Sequence, residues 1–154
     1  MILIPELESY IESVRNRVEA INFHRVLVDN DDIGKDLQQR SAAVDKIMLY
    51  AGIPEQKVIG RDDMYQDRDM MGFMVLEKTD YSASSSHDKW LDVFARTQAA
   101  ANEVRNLMIA DYEAHQGNCG LMSFLEISSI SIEPVKYFSS CNGWMILFQM
   151  KSDF

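Results

Sequence analysis

The chain has 154 residues, 47% of them apolar, and a formal net charge of −9 with a pI near 4.7. That is one domain's worth of sequence, with enough apolar mass for a packed core and too much for a disordered chain. The acidic balance argues against a surface that grips nucleic-acid phosphates or anionic membranes, since both need a basic face. No apolar run reaches the ~18 residues of a spanning helix, and Met-Ile-Leu-Ile-Pro-Glu lacks the basic and long apolar regions of a signal peptide, so synthesis in the cytoplasm is expected.

Pro5 to about Asn22 predicts an amphipathic helix. Pro5 suits a first helical turn, and Leu7, Tyr10, Ile11, Val14, Val18 and Ile21 trace one apolar stripe. Phe23 to Val28 is rich in β-branched and aromatic residues and predicts a strand, stopped by a polar turn at Asp29-Asn30-Asp31-Asp32. Lys35 to Gly52 supports two readings. Leu37, Val44, Ile47, Met48 and Ala51 fit a helix closed by Gly52, while Ile47-Met48-Leu49-Tyr50 also fits a short buried strand. A strand over Lys46–Ala51 is preferred, because a sheet is needed elsewhere to cover a long helix. Ile53 to Arg68 is polar, with Pro54, Gly60 and Arg61-Asp62-Asp63, and is expected to be a surface loop. Met70 to Thr79 begins with a continuous apolar run and predicts a buried central strand.

His87 to His115 predicts one long amphipathic helix. Trp90, Val93, Phe94, Thr97, Ala101, Val104, Met108 and Tyr112 fall on one stripe at roughly 100° per residue. Trp90, Phe94, Val104 and Met108 are expected to face a sheet, and Glu103 water. Ser84, Ser85 and Ser86 offer N-caps, and Gly117 and Gly120 offer stops. Leu125 and Ile127 then alternate with polar residues. The phase slips before Ile130 and Ile132, which predicts a strand with a bulge near Ser128-Ser129. Pro134 suits an edge strand. Asn142-Gly143 is the favoured two-residue hairpin signal and predicts a primed turn with positive φ. A last strand follows through Trp144, Ile146, Phe148 and Met150. The fold class expected is α+β: an antiparallel or mixed sheet of about four to five strands, packed by an N-terminal helix and one long helix over about 86–115, in a single domain over 1–154.

Candidate chemistry is sparse. Asp29, Asp31 and Asp32 cluster near His24, and carboxylates so spaced can hold a hard cation. The run lacks the turn glycine and terminal glutamate of a calcium loop, so a solvated turn is the better reading. Asp62, Asp63, Asp67 and Asp69, balanced by Arg61 and Arg68, read as charged surface. Cys119 and Cys141 lie in no nucleophile motif and are expected to be reduced thiols. His24, His87 and His115 are scattered, and Trp90 and Trp144 are expected in the core. No residue is assigned a catalytic, cofactor-binding or metal-ligating role.

The element order is helix, strands, long helix, and a closing strand pair with Gly143-Trp144-Met145-Ile146-Leu147-Phe148. It resembles the tail-terminator and neck proteins (head-to-tail joining and tail-completion proteins) of tailed bacteriophages. The resemblance covers most of the chain and rests on element order and texture. It implies a virion structural protein made in the host bacterial cytoplasm, without catalytic activity or cofactor. It implies a homo-oligomeric ring that meets other phage neck and tail proteins, lets DNA pass through without specific binding, and does not engage membranes. An acidic lumen would let DNA slide. The Ile53–Arg68 segment is the expected source of subunit contacts. Two other readings stand beside this one: a small metal-dependent enzyme using the Asp29–Asp32 turn, and a monomeric protein-interaction module.

Overall fold

The computed structural model describes residues 2–41, 46–61, 64–79, 87–114, 120–138 and 140–153. The elements in order are α1 (Ile4–Arg17), β1 (Phe23–Leu27), α2 (Asn30–Gln39), β2 (Ile47–Gly52), β3 (Glu55–Arg61), β4 (Met64–Lys78), α3 (His87–Ala114), a 3-10 turn (Leu121–Phe124), β5 (Leu125–Phe138) and β6 (Cys141–Asp153). The α+β class, the N-terminal helix and the long helix are all as expected. The sheet is mixed and six-stranded, in the order β1-β2-β4-β6-β5, with β3 pairing only β4.

β4 is the spine. It runs antiparallel to β6 from Gln66 to Lys78, and its other edge is shared end to end by β2 and β3. Its Met71–Leu76 stretch is buried on alternate faces save for the half-buried Gly72, which is why the sequence there shows no alternation. Met71, Phe73 and Val75 point to one face with Leu49, Ile146 and Phe148, and there α1 and α3 pack. Leu7, Ile11 and Val14 of α1 are fully buried, as are Ala101, Val104 and Met108 of α3. Each such large aliphatic side chain contributes about 1.5–3 kcal/mol on burial. Glu103 faces water as expected, whereas Trp90 and Phe94 are only half-buried. These two stack edge-on at 4.9 Å, and Trp144 donates its indole N–H to the Phe94 carbonyl at 2.9 Å.

The opposite face carries Met48, Tyr50, Met74, Leu76 and Cys141, covered by Ile33 and Leu37 of α2. Here the sequence reading is corrected. Asp29–Asp32 is not a free polar turn but the start of α2: the Asp29 carboxylate accepts the Asp32 amide at 2.9 Å, an N-cap. β1 and β2 are parallel, and a parallel pair needs a crossover. α2 supplies that crossover and a second layer. The two readings of Lys35–Gly52 divide at this point, with helix up to Gln39 and strand from Ile47.

Two further expectations are overturned. Ile53–Arg68 is not a loop: β3 pairs residue for residue with the first half of β4. And Asn142-Gly143 is not the hairpin turn. The reversal precedes it, with Ser140 at φ 64° and its carbonyl taking the Thr79 amide at 2.9 Å. Asn142 lies buried in β6 and donates to the Thr79 hydroxyl at 3.0 Å. Gly143 sits between Leu76 of β4 and Val135 of β5. Both residues are needed as strand residues, so the turn moves one step earlier. The bulge is present, as a register shift between Glu126 and Ser131, and Pro134 lies on the edge strand β5. Ser84–Ser86, His115, Gly117 and Cys119 lie outside the described residues.

Candidate functional site

The proposed cation ligands do not converge. Asp29 is committed to capping α2, and Asp31 and Asp32 lie in the first helical turn. His24 is on β1 with its pKa lowered, mainly by burial and secondarily by Arg15, against a smaller opposing pull from Glu12. Among the described residues no group of His, Cys, Asp and Glu is arranged to hold a metal. Cys141 is a buried thiol, and burial pushes its pKa up to about 11 against the nearby Lys78 charge. That is the opposite of what activates a thiolate nucleophile.

Two polar networks do stand out, one buried and one half-buried, and sequence reasoning missed both. Beneath α2, Asp36 is 6% exposed. One of its carboxylate oxygens takes the Arg25 guanidinium and, at 3.3 Å, Arg40; the other accepts the Tyr50 hydroxyl at 2.6 Å. Burial and this bond raise the Tyr50 pKa. The Arg25 and Arg40 guanidiniums also lie over the Phe23 ring, and Lys78 reaches the Leu37 and Arg40 carbonyls that close α2. This network pins α2 to the sheet. Between α1 and α3, Arg17 holds Asp111 in a two-pronged pair at 2.8 and 2.6 Å, and Tyr10 donates to the same carboxylate at 3.0 Å. A cleft of about 600 Å³ opens there, lined by Glu6, Ser9 and Ser13 as well. The only sequence signal for either network was a charged residue on a helical face otherwise read as solvated.

The remaining features are surfaces. β3 and the first half of β4, which β6 flanks as far as Gln66, form an arm whose Glu55–Val58 and Met70 are exposed, Val58 at 57%. Its register sorts the charges by face. Lys57 lies opposite Arg68, and Arg68 opposite Lys151, so three cations cross one face, while Asp67 and Asp69 point to the other. Asp69 is buried and accepts the Ile2 amide at 3.2 Å. On the Lys57–Arg68 face, past Met70, lies a groove of about 290 Å³. Gly72, Met74, Met145 and Leu147 floor it, Ile33 and Val28 wall it, and Asp29 stands at its rim. Gly72 adds no side chain to its floor, and a Cβ there would meet the Leu147 side chain at 3.4 Å. No helix among the described residues is long and apolar enough to cross a membrane. The chain matches no known protein-family model and no curated protein.

Proposed function

We propose that this chain is a structural subunit of a tailed-phage virion, a ring-forming tail-terminator or neck protein that joins head to tail without turnover. The observation that carries this reading is the β3–β4 arm. β3 is an edge strand paired only with β4, with Val58 exposed on it and Met70 exposed beside it on β4, which suits an edge completed by another subunit. The net charge of −9 supports a lumen that repels phosphates and lets DNA slide. Polar groups that fasten α2 to the sheet, as the buried Asp36 does, and α1 to α3, as Asp111 does, favour a rigid building block over a site that must open.

Assembly through ionic contacts should loosen as salt rises, since exposed pairs are individually weak. The test is the mass of the protein by analytical ultracentrifugation, alone and with its genomic neighbours, followed by negative-stain imaging. Closed rings, and the protein's presence in purified virions, are expected. Its absence from virions, or substrate turnover lost in Asp31→Ala, overturns the reading.

A further inference from the structure

The arm and the α2 groove are complementary in charge and in apolar character. We propose that the basic face of the β3–β4 arm of one copy docks into the α2 groove of a second copy. This rests on the ring-forming reading and names the contact that would build it.

The cation row is the first reason. Lys57, Arg68 and Lys151 stand in register across three strands, and like charges placed directly opposite destabilise a sheet. Lys151 is relieved by Glu126 at 2.7 Å. Lys57 and Arg68 have no ion-pair partner among the described residues, and the Arg68 Nε is buried without a hydrogen bond there. A chain of net charge −9 therefore sets three cations in one row, two of them outside any ion pair among the described residues, at a cost to its own fold. An anionic surface brought against it would remove that cost.

The groove is the second reason. Its floor is apolar, and its rim carries Asp29, with Asp31 and Asp32 in the same helical turn. Those carboxylates outweigh the half-charge of the helix N-terminus. The arm offers matching parts: Lys57 and Arg68 for the rim, and Met70, 44% exposed, for the floor. Glu55 lies opposite Met70 at the base of the arm, one rung from the Lys57–Arg68 row on the same face. Arm and groove are different patches, so each copy offers one of each, and the contact repeats head to tail until it closes.

The experiment follows assembly of the full chain against concentration by sedimentation velocity and native mass spectrometry. Folding of each variant is checked by circular dichroism. Lys57→Glu with Arg68→Glu should raise the concentration of half-assembly about tenfold or more, and adding Asp31→Lys should restore much of it. Gly72→Val should weaken assembly by filling the groove, because the strand accepts a Cβ there with its nearest neighbour, the Leu147 side chain, at 3.4 Å. Rings that persist unchanged in both variants overturn the arm–groove contact and leave the ring reading standing. A pair that never exceeds two copies, yet is broken by the charge reversal and rescued by Asp31→Lys, supports the contact and overturns the ring. A wild-type chain that stays monomeric at high concentration and with its neighbours overturns both.

Discussion

Two glycines on neighbouring strands should respond oppositely to the same substitution. At Gly143 an added Cβ would lie 2.0 Å from the Val75 carbonyl oxygen and 3.0 Å from the Leu76 Cα. Both are backbone atoms of β4, so no rotamer change relieves the clash. β6 must move away from β4 by about an ångström, which weakens the flanking ladder bonds. Two such bonds contribute about 2 kcal/mol together, and overpacking adds about 1–3 kcal/mol. Loss of unfolded-state freedom returns about 0.4–1 kcal/mol. Gly143→Ala is thus expected to destabilise by about 2–4 kcal/mol, which for a chain of this size lowers the melting temperature by roughly 5–15 °C. Gly72→Ala meets nothing nearer than the Leu147 side chain at 3.4 Å and should be neutral, or stabilising by up to about 1 kcal/mol. Urea titrations of the two variants read the difference directly. If both shift the midpoint alike, close approach of β6 to β4 is not what the glycine at 143 serves, and a turn at Asn142-Gly143 would return as the explanation.

Asp36→Ala should cost about 2–3 kcal/mol, because it leaves the buried Tyr50 hydroxyl and the Arg40 guanidinium without their carboxylate, while the exposed Arg25 is rehydrated; Tyr50→Phe removes one bond to that carboxylate and should cost about 1–2 kcal/mol, both read by denaturant titration. Asp29→Ala should lose about 1 kcal/mol through the α2 cap, and millimolar calcium should leave wild-type melting unchanged; a calcium-dependent rise abolished by this variant would revive the metal reading. His24 has a lowered folded pKa, so the unfolded chain binds its proton more readily. Stability on this account is full above the ordinary value of 6.5 and falls as pH drops below it, and His24→Gln should flatten that part of the pH–stability curve.

What the sequence makes legible is what burial enforces. The α1 stripe, the α3 stripe and the Met71–Leu76 run are read correctly because one face, or both, must leave water. α2 is lost because its ten residues present only Ile33, Asp36 and Leu37 to the sheet, and one of those is a carboxylate whose partners come from β1, β2 and the end of the helix itself. No local pattern announces a buried aspartate held by Arg25, Arg40 and Tyr50. Asn142-Gly143 misleads for a related reason. Asparagine and glycine are turn residues by backbone preference, yet here one is used for its amide and the other for having no side chain.

The arm is the most instructive misreading. Glu55 to Arg61 looks like a loop because neither face of β3 is buried, so no alternation is selected and only the register with β4 reveals the strand. β4 is secured on its other side by β6, which pairs with it as far as Gln66 opposite Asp153, and Asp69 takes the Ile2 amide. β3, exposed on both faces, is held by its one ladder to β4. Its outer edge has no such support among the described strands. Edge strand β5, by contrast, is blunted by its bulge and by Pro134. Among the described strands the β5 edge is thus protected and the β3 edge left open, next to the face that carries the cation row. That asymmetry is what a subunit with one giving and one receiving surface requires, and it is why the charge reversal at Lys57 and Arg68 is the more decisive test than any substitution in the core.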